Sequence, residues 1–147
     1  MAGNITFTMI KPDAVADNKT GHIIKMITDA GFRIMAMKQT RLSDSAARKF
    51  YEIHKDRPFY NELVAFMTSG PIVPMVLEKE NAVEDFRKLI GNTDPSKADA
   101  GTIRKLFAKN IQNNAIHGAD SDENAQREAF FHFSGQEIFS KKGECIG

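Results

Sequence analysis

Ile5-Thr6-Phe7-Thr8-Met9-Ile10, closed by Lys11-Pro12-Asp13, is the stretch on which the fold turns. Ile5, Phe7 and Met9 fall on one face of an extended chain and Thr6 and Thr8 on the other, so the alternation and the β-branched residues predict a strand. Pro12 has no N–H to give to a ladder and ends it. Thr20 and Gly21 then open a helix whose Ile23, Ile24, Ile27 and Ala30 form one apolar stripe, with Gly31 placed to cap its C-terminus. Residues 32–41 read as a second strand, apolar on both faces and therefore central in a covered sheet. A strand, a helix and a strand in that order are the first half of a βαββαβ unit.

The rest of the chain continues the pattern. Ser43 and Asp44 start a helix running to about His54, Asp56-Arg57-Pro58 breaks it, and Tyr60 to Met67 resumes helical spacing. Ile72 to Leu77 is a third strand, in which Pro74 points to an edge or a bulge. Asn81 and Glu84 resemble a capping box before a helix that buries Val83, Phe86 and Ile90 and stops at Gly91. A long polar segment, 91–101, precedes a short helix around Ile103 to Phe107 and a strand-like step up to His117. The last helix runs from about Ser121 to Phe131. The expected architecture is one α/β (α+β) sandwich over residues 1–147, with insertions.

Composition narrows the function classes. A net charge of +1 is too small for a protein that holds nucleic acid by bulk charge, although it allows a local cationic pocket. The single cysteine, Cys145, permits no disulfide framework and fits a reducing, cytoplasmic setting. No apolar run approaches a membrane span. Glycine-rich phosphate loops, HExxH, CxxC and GxSxG are all missing from the sequence. If phosphate is handled, side chains must grip it.

Asn114-Ala115-Ile116-His117-Gly118-Ala119-Asp120 is where chemistry concentrates. One imidazole stands at a strand end just before a helix start, between small residues that leave space, and Glu128 on the following helix can reach back to orient it. Histidine is a good phosphoryl acceptor because it is a neutral nucleophile near pH 7 and forms a high-energy phosphoramidate. His22, His54 and His132 have no such setting, and no histidine pair has metal-ligand spacing. Lys11, Arg57, Arg87 and Arg104, with the Thr93 hydroxyl, could supply cationic groups for a polyphosphate. Their convergence is not visible in sequence; each could equally be a solvated surface charge.

These pieces together resemble the nucleoside diphosphate kinase family. Seven motifs carry the resemblance: Thr6–Asp13, Gly31-Phe32-Arg33-Ile34, Lys55–Tyr60, Ser69-Gly70-Pro71, Gly91-Asn92-Thr93-Asp94-Pro95, Gly101-Thr102-Ile103-Arg104 and Asn114-x-x-His117-Gly118-x-Asp120. The implied fold is ferredoxin-like βαββαβ, a four-stranded antiparallel sheet covered by helices. The implied activity is phosphoryl exchange between nucleoside tri- and diphosphates, ping-pong through a phosphohistidine, with Mg²⁺ carried on the nucleotide phosphates and no metal ligand from the protein. The resemblance assigns His117 as nucleophile and Glu128 as its orienting partner. It gives Lys11 and Asn114 to the ribose 3′-hydroxyl and nearby phosphate oxygens, and Arg57, Arg87, Thr93 and Arg104 to the phosphates. It makes Tyr51 a support for the histidine pocket, and Phe59 and Ile111 the two faces of a sandwich around the base. It also implies a homo-oligomer, a tetramer or hexamer built from dimers, with no membrane or nucleic-acid partner.

The chain departs from the family pattern in two places. Ala119 stands where the family usually has a serine expected to bond Glu128. Ser96 to Ala100 lacks a second proline common in that loop, and the C-terminus is short, both at places the family uses for subunit contacts. The competing reading is a non-catalytic nucleotide- or RNA-binding module on the same sheet, which the near-neutral charge and the absence of an aromatic-rich strand disfavour.

Overall fold

The computed structural model describes residues 3–147. Four strands, β1 (Ile5–Ile10), β2 (Arg33–Met37), β3 (Val73–Glu78) and β4 (Ile116–Gly118), form one antiparallel sheet in the order β2-β3-β1-β4. The helices are α1 (Pro12–Ala16), α2 (Thr20–Asp29), α3 (Asp44–Phe50), α4 (Tyr60–Met67), α5 (Ala82–Ile90), α6 (Ile103–Phe107) and α7 (Asp122–His132). The order of strands and helices is the expected βαββαβ with α3 and α4 inserted between β2 and β3.

The sheet is buried on both faces, which corrects the reading of β1 as one apolar and one polar face. Phe7 and Met9 pack with Phe50, Val64, Met67, Ala125 and Ala129 on the α3, α4 and α7 side. Ile10 packs with Ile23, Ile27, Phe86 and Ile90 on the α2 and α5 side. Thr6 and Thr8 are therefore fully buried too. Thr8 satisfies its hydroxyl by donating to the His117 carbonyl at 2.7 Å, a bond that ties β1 to β4.

The places of β2 and β3 are the reverse of those expected. β3 lies inside the sheet and β2 at its edge. Pro74 is tolerated inside because it sits near the entry of β3, where its carbonyl still accepts from Lys38 N at 3.3 Å. The irregularity that proline suggested is present in the neighbouring strand, as a register shift between Ile34 and Ala36. The C-terminal segment covers the outer edge of β2: Phe139 N donates to Met35 O at 2.9 Å and Arg33 Nη2 to Phe139 O at 3.1 Å. Pairing of this kind removes the exposed ladder that an edge strand otherwise presents.

Local signals explain most helix ends. Ser43, Thr102 and Ser121 each cap a helix by accepting from the backbone N–H three residues on. Asn81 does not form the expected capping box; it takes a left-handed backbone (φ 56°, ψ 45°) and its side chain reaches Glu84 and Asp85 instead. The helix expected to run from Ser43 to His54 stops at Phe50, and a separate single 3-10 turn covers Glu52–His54. α1, missed in sequence, starts with Pro12 in its first turn, where the missing N–H costs nothing.

β4 sits close to α5 because Gly118 has no side chain. A Cβ there would lie 2.9 Å from Ile90 Cδ1 and 3.3 Å from Phe86 Cδ2, both from fully or nearly fully buried side chains. Gly118→Ala is expected to destabilise the fold by about 1–3 kcal/mol through overpacking. Urea titration checks it: an unchanged midpoint would mean that β4 and α5 can move apart freely.

Candidate active site

The ends of β1 and β4 lie side by side and bring Lys11 and His117 to one rim of the sheet. The backbone between them is constrained. Lys11 N donates to Ala115 O at 2.9 Å, and Asp13 Oδ2 accepts from Ala115 N at 3.1 Å. These bonds hold Ala115 at φ 73°, a left-handed conformation uncommon for alanine. The turn delivers Asn114 beneath Lys11, whose Nζ donates to Asn114 Oδ1 at 2.8 Å. Asn114 Nδ2 in turn donates to Thr93 O at 3.4 Å, so the long loop after α5 is tied to the strand ends.

His117 is fixed from behind and from the side. Its ring stands at 6.0 Å from Phe7 and 5.7 Å from Phe50, centroid to centroid, the latter edge-on. Its Nε2 lies 2.7 Å from Glu128 Oε1 on α7. Glu128 is only 6% exposed, and a buried carboxylate demands such a partner. No hydrogen bond to His117 Nδ1 exists among the described residues. Gly118, read as leaving space beside the ring, lines the cleft with His117, while Ile90 and Phe86 close the side a Cβ would take; Ala119, read the same way, is buried in the core.

A cleft of about 610 Å³ opens over this point. Ten of the eleven residues singled out in the sequence line it. Lys11, Asn114, His117 and Glu128 form its floor region; Arg87 from α5, Thr93 from the loop and Arg104 from α6 lie along it; Tyr51, Phe59 and Ile111 complete the set. Arg57 is the exception. It lies exposed on the turn before α4 and is not among the lining residues. Phe59 and Ile111 are 46% and 60% exposed, so both present apolar surface to solvent.

Two cations are buried in the wall. Arg104 spends its guanidinium on backbone, donating from Nη2 to Ile116 O at 2.7 Å and from Nη1 to Gly91 O at 3.1 Å. Burial, and then the charge of Arg87, lower its pKa to about 10. Lys11 is brought down to about 8, first by burial and then by Arg104, against the opposing pull of Asp13. Burial conversely raises Asp13 and also Tyr51, the latter aided by the negative Glu128. Tyr51 Oη, Asp13 Oδ1 and Arg104 Nε are buried without a hydrogen-bond partner. Of these, Tyr51 and Arg104 line the cleft, and a cleft walled by buried cations favours an anion.

Comparison with known proteins agrees. The family model described as Nucleoside diphosphate kinase matches residues 4–138. This chain belongs to the nucleoside diphosphate kinase family. The nucleoside diphosphate kinase of Flavobacterium psychrophilum is 61% identical over 139 residues, 95% of this chain and 100% of the relative. That of Chlorobaculum tepidum is 59% identical over 133 residues, 90% of this chain and 95% of the relative. Among solved structures, an orthorhombic crystal form of the Aquifex aeolicus nucleoside diphosphate kinase superposes with a TM-score of 0.90 at 43% identity, covering 92% of this chain and 98% of that one. The Halobacterium salinarum nucleoside diphosphate kinase in complex with CDP gives 0.89 at 34% identity, over 94% and 93% of the two chains. As a member of the family the chain is a nucleotide-binding phosphotransferase, with the ferredoxin-like fold of its structural neighbours.

Several lining residues of this kinase, among them the motif residue Asp120, were given no role in the site from the sequence. Asp120, Asn124 and Arg127 share the cleft-facing side of α7 and its N-terminal approach with Glu128. The spacing of Asp120, Asn124 and Glu128 was a usable signal, since residues four apart on a helix share a face; Arg127, next to Glu128, gave none. Phe50 was invisible because a lone aromatic before a helix end looks like ordinary core.

Burying Lys11 should cost stability near neutral pH. The folded chain holds its proton only to about pH 8, the unfolded chain to the ordinary lysine value. The cost is therefore full below pH 8 and fades as pH rises toward that ordinary value and the unfolded chain also deprotonates. Lys11→Met should raise stability at pH 7 by about 1–3 kcal/mol, and the gain should shrink toward pH 10. Urea unfolding at both pH values checks it; a variant less stable at pH 7 would contradict this account of the wall.

Proposed function

We propose that the chain exchanges terminal phosphoryl groups between nucleoside tri- and diphosphates by a ping-pong route through His117. The observation that carries this reading is the His117 Nε2 to Glu128 Oε1 contact of 2.7 Å in a cleft walled by Lys11, Arg87 and Arg104. With its Nε2 proton donated to a carboxylate, neutral imidazole keeps its lone pair on Nδ1. Nδ1 attacks the terminal phosphorus, an N–P bond forms, and the bridging P–O bond breaks with its electron pair leaving on the nucleoside diphosphate. The nitrogen proton stays at Nε2 throughout. A second diphosphate reverses the step and carries the phosphoryl group away.

The transition state of such a transfer is loose and spreads charge over the phosphoryl oxygens, so catalysis is mainly position and cations. Arg87, Arg104 and the Thr93 hydroxyl would hold the phosphates, and Lys11 with Asn114 the sugar end and nearby oxygens. Arg57 could join them only by a movement of the turn before α4. Tyr51, buried beside Glu128, would keep the floor rigid. Phe59 and Ile111 offer apolar faces to a base, and stacking of this kind is tolerant of base identity.

Mg²⁺ fits this site as a passenger of the nucleotide. Among the described residues no three His, Cys, Asp or Glu gather as a metal nest, and Mg²⁺ binds readily through phosphates with one or two carboxylates. Asp120 lines the cleft, and its pKa is lowered chiefly by Asn124, so it would hold the ion alongside the phosphates, one protein contact more than the resemblance implies. Bound there, Mg²⁺ would neutralise phosphate charge. Cytoplasmic residence and a homo-oligomer built from dimers belong to the same reading. Half-exposed Met37 on the edge strand and Phe139 beside it leave apolar surface for a second copy to cover. Among the described residues no helix is long and apolar enough to cross a membrane.

Incubation with Mg²⁺ and γ-labelled ATP should give an acid-labile, base-stable label that any nucleoside diphosphate removes, and His117→Asn should take none. Label that persists in that variant would end the reading. Ala119→Ser should restore about one hydrogen bond near Glu128 and raise turnover by roughly fivefold, the equivalent of about 1 kcal/mol. Steady-state assay and thermal melting check this; no change in either would show that the serine hydroxyl contributes nothing here.

A further inference from the structure

Glu128 is a buried carboxylate with two oxygens. Oε1 is taken by His117. Oε2 faces one cation among the described residues, the Arg127 guanidinium, with Nη2 at 3.6 Å. That guanidinium does not hang free: Arg127 Nε donates to Asn124 Oδ1 at 3.4 Å, and Asn124 Nδ2 donates to Asp120 Oδ1 at 2.6 Å. Asp120, Asn124, Arg127 and Glu128 all line the cleft, so a continuous polar line runs along α7 from the rim to the imidazole.

We propose that Arg127 is a positioning residue for phosphoryl transfer, its guanidinium anchoring the second oxygen of Glu128 so that the first stays on His117 Nε2. The inference rests on the phosphohistidine reading above. The terminal torsion of a glutamate is broad and soft, so a carboxylate held at one oxygen only can swing and take the imidazole with it. Arg127 stops the swing by attracting the other oxygen. It also offsets part of the negative charge that accumulates beside Glu128 when His117 carries a phosphoryl group.

Stability alone would not explain this arrangement. The Arg127 side chain is 51% exposed, and an ion pair with one partner so wet adds little to folding. The charged and titratable groups facing Glu128 are His117 from β4, Tyr51 just after α3 and Arg127 from its own helix. Arg127 is the permanent positive charge of the set, and its removal leaves Oε2 of Glu128 without a cationic neighbour among the described residues.

Rapid-quench labelling of His117 with γ-labelled ATP, across a range of nucleotide concentrations, tests the role in Arg127→Gln, Arg127→Lys, Glu128→Gln and the double variant Arg127→Gln/Glu128→Gln. Arg127→Gln should slow phosphoryl transfer by about three- to tenfold with the half-saturating nucleotide concentration unchanged. Arg127→Lys should recover most of the rate. In the Glu128→Gln background Arg127→Gln should add no further loss, because both act through one contact. A raised half-saturation with an unchanged maximal rate would make Arg127 a phosphate ligand instead and overturn the proposal. Full additivity with Glu128→Gln, or a rate equal to the parent, would also overturn it. Parent protein that takes no label at His117 defeats the phosphohistidine reading beneath it; normal parent labelling with an unaltered Arg127→Gln defeats only this inference.

Discussion

The Glu128 carboxyl group, kept almost out of reach of water, is tolerable because the His117 ring nitrogen Nε2 lies 2.7 Å from it. Either group alone would be a liability. An unpaired buried carboxylate costs several kcal/mol in effective desolvation, on the order of what a whole domain can spare. Much of the surrounding structure serves to make the two meet. β4 is only three residues long, and Thr8 grips the carbonyl of its central histidine. Gly118 lets that strand settle against α5. The chain then turns through Asp120, Ser121 caps α7, and about two turns later Glu128 arrives back over the ring.

The same logic of stored cost runs through the cationic wall. Lys11 and Arg104 are buried with pKa values drawn down by desolvation, and each is held by neutral partners: an asparagine side chain for Lys11, backbone carbonyls for Arg104. Neutral acceptors orient a cation without cancelling its charge. The site therefore keeps positive charge aimed at a cleft, offset only in part by Asp13 beside Lys11, a state that an incoming polyphosphate relieves. Stability is given up in the resting protein so that binding energy is available when the ligand arrives.

Much of this was legible along the chain, for physical reasons that differ by residue. α2, α4 and α7 follow from apolar spacing and caps, and β1 from its alternation, because each of those signals is local. The edge and interior strands were exchanged because what decides them is not local. Pro74 argued for an edge, but its carbonyl still pairs; β2 looked central because it has apolar residues on both faces, but it lies at the edge, where the tail near Phe139 covers it. Thr6 and Thr8, placed on the face opposite Phe7 and Met9, are buried as well, because helices cover both sides of the sheet. At the site, His117 and Glu128 could be paired by reasoning about a strand end and the helix after it. Lys11, Arg87, Thr93 and Arg104 come from four separate elements, and the family resemblance, not spacing, brought them together. Arg127 and Asn124 went unnoticed because half-exposed polar residues on a helix look like solvated surface until a buried carboxylate is seen beside them.

The central claim is that Glu128 holds the proton on His117 Nε2 and leaves Nδ1 to take the phosphoryl group. Phosphorus–nitrogen coupling in the NMR spectrum of nitrogen-labelled phosphoenzyme locates the bond directly. The expected result is coupling to Nδ1, with Nε2 carrying its proton both before and after phosphorylation. Coupling to Nε2, or a resting enzyme whose proton sits on Nδ1, would contradict the account.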